Sequence, residues 1–168
     1  MKILGAVLII AGCFGVSLGM CRSIRREQRA LEELLSALEW MVWELNDRMP
    51  PLAQLCRGAS EQCGGPVARV LDHLALELEG QVVPDAAACM AAAISSVSSL
   101  PPLTAQQLLL LGKNLGRFDL QGQLAGLESA ASRCHLCLDN LRADSSTKLR
   151  SYQTLGICAG VALVILFL

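Results

Sequence analysis

Two long uncharged segments, one at each end of the chain, most constrain the fold. Residues 3–21 and 151–168 contain no Asp, Glu, Lys or Arg and are rich in aliphatic side chains. About 20 helical residues, at 1.5 Å per residue, cross a hydrocarbon core of about 30 Å. We therefore predict transmembrane helices at residues 1–21 and 151–168, with one domain between them at residues 22–150.

A secretory signal peptide is the alternative for the first segment. Lys2 and the apolar stretch after it fit that alternative. However, the stretch is long, no clear small-residue cleavage site follows it, and basic residues come directly after it. These features favour an uncleaved membrane anchor.

Basic residues beside the two predicted spans indicate the orientation in the membrane. The residues that flank the spans on the inner side include Arg22, Arg25, Arg26, Arg29, Lys148 and Arg150. Only Lys2 lies on the other side of a span. Because short cytoplasmic segments carry an excess of Lys and Arg, we expect residues 22–150 in the cytoplasm and both termini outside.

The segment between the spans is predicted to be all-α, because apolar residues recur there at helical spacing. One heptad stripe runs from Ile24 to Met49 and stops at Pro50-Pro51, and another runs from Leu120 to Leu141. Glycine and proline breaks separate four shorter helices between these stripes. We predict a bundle of about six helices whose two long members continue into the spans. The stripes could pair within one chain or with a second copy, and pairing within the chain is favoured.

Local signals predict where some of these helices start and stop. Thr104 and Gln107 match a capping box before the fifth helix. Gly116 is a suitable helix stop, and Asp119 is a good N-cap for the last helix. Trp43 lies beside the first stripe together with Trp40, which favours core packing over a binding role.

The chain carries no recognisable catalytic signature. It lacks a P-loop, a G-x-S-x-G elbow and an H-E-x-x-H zinc motif. Its net charge of −1 argues against nucleic-acid binding, which needs clustered excess Lys and Arg. We therefore predict a protein that is not an enzyme, with no cofactor and no metal.

The eight cysteines leave one alternative open. Cys134 and Cys137 form a C-x-x-C pair. One such pair provides too few ligands for a zinc site, and the βαβ context of a thioredoxin-like motif is missing. A membrane-tethered thiol or metal-binding protein that uses this pair is therefore the less favoured reading.

Each predicted span also contains a G-x-x-x-G pattern. The glycines are Gly15 and Gly19 in the first span and Gly156 and Gly160 in the second. Small residues four positions apart allow membrane helices to approach closely. These glycines are predicted to pack the two spans against each other or against a partner.

Three segments resemble the stage III sporulation protein AB family. They are residues 1–6, the break at residues 49–52, and the sequence L-G-K-N-L-G-R-F-D-L-Q-G-Q at residues 111–123. The resemblance extends over the whole chain. It implies a subunit of the complex that spans the envelope between mother cell and forespore in endospore-forming bacteria. It also implies a location in the mother-cell membrane around the forespore.

The family is similar to the cytoplasmic helical domains of inner-membrane platform proteins in type II secretion and type IV pilus machines. By this analogy the expected partners are the secretion-type ATPase stage III sporulation protein AA, other membrane subunits of the complex, and the lipid bilayer. The candidate partner surface is the turn formed by Gly116, Arg117, Phe118 and Asp119. The alternative is a structural corner in which Asp119 caps the last helix and Phe118 packs inward. The favoured function is a non-enzymatic membrane platform.

Overall fold

The computed structural model describes the backbone of residues 2–80, 85–116 and 120–167 and the side chains of residues 22–80, 85–116 and 120–143. These residues form α-helices and contain no strand, as the sequence predicts. The helices are α1 (Lys2–Arg48), α2 (Leu52–Gln62), α3 (Gly65–Gly80), α4 (Ala86–Ser96), α5 (Pro102–Asn114) and α6 (Leu120–Phe167).

The chain divides into two compact units. One unit is Glu27–Leu138 and contains α1 from Glu27 onward, all of α2 to α5 and the first part of α6. The other combines Met1–Arg26 with Asp139–Leu168. Within the part of the chain that the structure describes, no helix is long and apolar enough to cross a membrane. The side chains of the predicted spans lie outside that part, so the two spans remain predictions.

The buried face of α1 is wider than the predicted heptad stripe. The stripe positions Leu31, Leu38 and Leu45 are buried as predicted, whereas Ile24 is only half-buried. The alternate positions of the stripe, Gln28, Leu35 and Val42, are only half-buried. Their places in the core are taken by residues one position earlier, namely Glu27, Leu34 and Met41, together with Ala30 and Ala37.

Contacts on two sides of α1 explain this difference. Trp40 lies against Gly58 of α2 on one side, and Glu39 Oε1 lies 3.6 Å from His135 Nε2 of α6 on the other. A helix that is covered by several neighbours buries a broad arc rather than the narrow seam of a coiled coil. The stripe of α6 shows a similar outcome, with Leu127, Cys134 and Leu138 buried but Ala130 in place of Ala131.

Proline and glycine end the helices where the sequence predicts. Pro50 and Pro51 follow the last residue of α1, and α2 begins directly after them. Met49 was predicted to extend the apolar stripe, and this prediction is wrong. The residue has left the helix with a φ of 47° and is 62% exposed.

The shorter helices pack in chain order, α2 on α3, α3 on α4 and α4 on α5. The α4–α5 crossing is close at Gly112. A Cβ added to Gly112 would lie 2.6 Å from the Cβ of Met90. Only glycine therefore allows these two backbones to come this near.

The predicted capping box at the start of α5 is wrong. The helix begins at Pro102 with Pro101 as N-cap, so Thr104 is the third helical residue. Proline suits the first position of a helix because its φ is already helical and its missing N–H needs no partner there. The N–H of Thr104 in the first turn of α5 donates instead to the side chain of Glu27 on α1.

Candidate functional site

The predicted partner turn connects α5 to α6. Gly116 has a φ of 74° and is exposed, which confirms its role as a helix stop. The other three residues of the predicted surface, Arg117, Phe118 and Asp119, lie outside the described residues. The partner role of Arg117 and the cap at Asp119 therefore remain predictions.

The contacts of Gly116 locate this turn within the Glu27–Leu138 unit. A Cβ added to Gly116 would lie 3.7 Å from the Cβ of Ala86 and from Cδ2 of Leu52. Leu52 begins α2 just after the end of α1. Because α1 runs about 30 Å from Glu27 to Arg48, Gly116 lies at the opposite end of this unit from Glu27.

Two exposed apolar side chains on or beside α1 lie toward the same end. Met49 is 62% exposed and Trp43 is 59% exposed. The prediction that Trp43 packs in the core is wrong, because the face of α1 that contacts α2 carries Trp40 instead. Exposed aromatic side chains are enriched in binding hot spots, so this end of the unit offers contact residues besides the turn.

Glu27 and Thr104 form a buried link between α1 and α5. The backbone N–H and the hydroxyl of Thr104 both donate to Glu27 Oε1, at 2.8 and 3.1 Å. Both residues are buried, and Glu27 is the first residue of its unit. A carboxylate at a helix N-terminus satisfies free N–H groups and is favoured by the helix dipole. The link thus fixes the start of α5 beside the point where α1 enters the unit.

Sequence reasoning missed this link. Glu27 lies among the arginines of residues 22–29, where it resembles an ordinary solvated charge. Its partner is 77 positions away. The only local signal is that the N-cap of α5 is not a Ser, Thr, Asp or Asn. The free N–H groups at the start of α5 must therefore find an acceptor in another part of the chain.

An open cleft of about 260 Å³ lies between α1 and the α2–α3 connection. Its lining residues are Arg29, Glu32, Glu33, Ser36, Gln62, Cys63 and Gly64. Glu33 Oε2 is buried and has no hydrogen-bond partner among the described residues. Burial raises the pKa of Glu33, and the nearby Arg29 guanidinium partly opposes this rise.

The position of Glu33 gives the cleft a structural role. A Cβ added to Gly65, the first residue of α3, would lie 3.0 Å from Glu33 Oε2, and Gly65 has a φ of 59°. The carboxylate therefore lies at the start of α3, where the helix dipole favours negative charge. The cleft is accordingly the place where α1 meets the start of α3.

The two cysteines of the C-x-x-C pair face different surroundings. Cys134 is fully buried, and burial raises its pKa to about 11. Cys137 is half-buried and accepts a hydrogen bond from Gln107 Nε2 at 3.6 Å. A reactive thiol needs access and a lowered pKa. The surroundings of Cys134 therefore favour core packing over thiol chemistry.

The remaining predicted site residues are only partly described. Arg22, Arg25, Arg26 and Arg29 are exposed on α1, and Arg29 also lines the cleft. The side chains of Lys148 and Arg150 lie outside the described residues. So do the surroundings of the glycine pairs predicted to pack the spans, which are Gly15, Gly19, Gly156 and Gly160.

Comparison with known proteins identifies the family. The model of the family stage III sporulation protein AB matches residues 2–168. The chain belongs to this family. Family membership assigns it a role in sporulation and confirms the resemblance seen in the sequence.

A solved structure of a stage III sporulation protein AB has a similar fold. It superposes with a TM-score of 0.62 at 17% sequence identity, over 73% of this chain and 98% of the solved chain. At this identity, the likeness shows the fold alone. No curated protein matches the sequence.

Proposed function

We propose that this stage III sporulation protein AB family member is a non-enzymatic platform subunit of the membrane complex that joins mother cell and forespore. The observation that carries this proposal is the family match over residues 2–168. In the proposed arrangement residues 1–21 and 151–168 span the mother-cell membrane. Residues 22–150 are cytoplasmic, in keeping with the basic residues beside the spans.

We further propose that the platform docks the secretion-type ATPase stage III sporulation protein AA. The turn that begins at Gly116 is the proposed contact surface. Gly116 supports this role because it is exposed at the opposite end of the Glu27–Leu138 unit from Glu27, the first residue of that unit. The exposed side chains of Trp43 and Met49 add apolar contact area toward that end.

Affinity purification from sporulating cells tests the proposal. Tagged full-length protein is extracted in a mild detergent, its partners are identified by mass spectrometry, and metal is measured in the same sample. We expect the ATPase and neighbouring membrane subunits in amounts comparable to the bait. If the bait came alone with stoichiometric metal, the thiol or metal reading would replace the platform.

A charge reversal then tests the docking surface. Arg117→Glu is expected to lower ATPase recovery about tenfold or more, because a reversed charge at an interface opposes association. Recovery of the membrane subunits should not change. Arg69→Glu is the matched control, since Arg69 is exposed on α3 and bonds only to Ser99 among the interactions described. Equal ATPase recovery with both variants would exclude the Gly116–Asp119 turn as the docking surface.

A further inference from the structure

Helices α1 and α6 run in opposite directions. Helix α5 starts beside Glu27 and leads to Gly116, which lies beside Leu52 just after α1, so α5 runs parallel to α1. Helix α6 meets α5 first at Asn114 and later at Gln107, so it runs back along α5. The first part of α6 is therefore antiparallel to α1.

The contact between Glu39 and His135 sets the register of these two helices. Glu39 Oε1 lies 3.6 Å from His135 Nε2, so α1 and α6 are neighbours at this level. Residues three or four positions apart share one side of a helix. In the antiparallel register, positions 39, 43 and 46 of α1 are thus level with positions 135, 132 and 128 of α6. All six residues are exposed, and we call them the Trp43 face: Glu39, Trp43, Asn46, Glu128, Ser132 and His135.

The Trp43 face combines an exposed aromatic ring with negative charge. Trp43 is 59% exposed, and Glu39 and Glu128 lie about one turn from it on either side. None of the six residues is Lys or Arg. Among the interactions described, Glu39 pairs only with His135, and the carboxylate of Glu128 has no ion pair. The indole and its two flanking carboxylates therefore have no Lys or Arg partner of their own.

We propose that the Trp43 face binds a helical segment of a partner protein that presents Arg or Lys side chains. A guanidinium or ammonium group is attracted to the face of an aromatic ring, most strongly to that of Trp. Further basic side chains of the segment pair with Glu39 and Glu128. Trp is also enriched among the residues that carry most of the binding energy of protein interfaces.

The spacing of the two carboxylates specifies the partner segment further. Positions 39 and 128 are about 10 Å apart along the helix axes, which is the rise between residues seven apart in a helix. A partner helix laid along the seam between α1 and α6 can therefore place basic residues at i and i+7 against Glu39 and Glu128. A third basic residue between them lies over the indole of Trp43.

Charge selects a basic protein segment over other occupants. The carboxylates of Glu39 and Glu128 repel the phosphates of nucleic acid and of anionic lipids. The same face of a second copy would set carboxylates against carboxylates, which opposes association.

The inference rests on the proposed function in one respect, because Trp43 also belongs to the contact area proposed for the ATPase. It adds the chemistry of the partner surface that meets Trp43, which is basic. Two separate measurements keep the two proposals apart. Peptide binding tests the Trp43 face, and ATPase recovery tests the docking.

A synthetic helical peptide tests the Trp43 face directly. The probe is an alanine-based peptide of about 16 residues with arginines at i, i+4 and i+7, and its control has glutamine at these three positions. Each peptide carries a fluorescent label, and anisotropy is measured against the full chain in a neutral detergent. We expect saturable binding of the arginine peptide that weakens as salt is added, and no binding of the glutamine peptide.

Variants on both helices locate the binding. Trp43→Ala should lower the affinity for the arginine peptide about tenfold, and Glu128→Gln about threefold. The matched controls are Leu76→Ala on α3 and Glu61→Gln on α2, which replace exposed residues outside the Trp43 face. Both controls should stay within about twofold of the wild type. Thermal unfolding confirms that each variant folds, and two variants on different helices keep the test decisive if one of them does not.

Three results would overturn the proposal. They are no saturable binding by the wild type up to about 1 mM peptide, equal affinity of Trp43→Ala and Leu76→Ala, and equal loss in Glu128→Gln and Glu61→Gln. The last result would show that only net charge matters. If Trp43→Ala lost the peptide but kept ATPase recovery, the basic partner would stand and Trp43 would leave the ATPase contact. If it lost ATPase recovery while the wild type bound no peptide, the docking would stand and the basic partner would fall.

Discussion

Replacing Gly112 by alanine should destabilise the protein, although alanine is the better helix former. Gly112 is buried in α5 where this helix crosses α4. An added Cβ would lie 2.6 Å from Cβ and 2.9 Å from Cγ of Met90, and 3.4 Å from the carbonyl oxygen of Ala86. Because the Cβ of Met90 is fixed to its backbone, a side-chain rotation cannot relieve this clash. The helices must move apart.

The expected magnitude follows from two opposing terms. Alanine in place of glycine inside a helix stabilises by about 1 kcal/mol. Adding a methyl group to a closely packed site costs about 1–3 kcal/mol, and a neighbour that cannot rotate places this site in the upper part of that range. The net result for Gly112→Ala is a loss of about 1–2 kcal/mol.

Gly126 provides a matched control with the opposite expected sign. It lies inside α6, and a Cβ added there would be 3.6 Å from the Cβ of Asn114, an ordinary contact distance. Gly126→Ala therefore keeps the helix gain of about 1 kcal/mol without a clash. The chemical change is identical in the two variants, so only the surroundings can produce different signs.

Thermal unfolding of the full chain in mild detergent, followed by circular dichroism at the helical band, measures both effects. For a domain of this size, 1 kcal/mol shifts the midpoint by about 4 °C. Gly112→Ala should lower it by about 4–8 °C, and Gly126→Ala should raise it by about 4 °C. If Gly112→Ala were as stable as the wild type, the close α4–α5 crossing would be wrong.

Three further substitutions test single interactions by the same unfolding assay. Glu27→Ala should cost about 2 kcal/mol because it leaves the buried donors of Thr104 without an acceptor, whereas Glu27→Gln keeps an acceptor and should cost less. Burial raises the pKa of Cys134 from 9.0 to about 11, so the contribution of this thiol to wild-type stability should be constant below pH 9 and should fall from pH 9 to 11. Cys134→Ala should reduce that fall, and an identical fall in this variant would disprove the link. Burial also raises the pKa of Glu33, so Glu33→Gln should stabilise more at pH 7 than at pH 4, and an equal gain at both would exclude ionisation as the cause.

The buried link at Glu27 bears on the proposed platform role. It joins Glu27, the first residue of the Glu27–Leu138 unit, to the start of α5, while the far end of α5 leads to Gly116. Within the Glu27–Leu138 unit, α5 therefore connects the buried link at Glu27 to Gly116, where the proposed docking surface begins. The Glu27→Ala variant therefore tests stability first and, where the protein still folds, ATPase recovery second.

The sequence by itself determined the family and most of the points where helices end, but not the start of α5. Pro50-Pro51, the breaks around Gly65 and Pro101-Pro102, and the stop at Gly116 act through their own backbone geometry, which needs no distant partner. The motif at residues 111–123 identified the family from residue types alone.

Only the tertiary structure decided which face each helix buries and which partner each polar group finds. Leu34 and Met41 replaced Leu35 and Val42 in the core, and Trp40 rather than Trp43 turned inward, because α2 covers one side of α1. Glu27 caps a helix that begins 75 positions later, since the fold brings the two together. Heptad spacing shows that a helix has an apolar side. Which residues of the helix become buried depends on the number and direction of the neighbouring helices. Those neighbours are set by contacts between residues far apart in the chain.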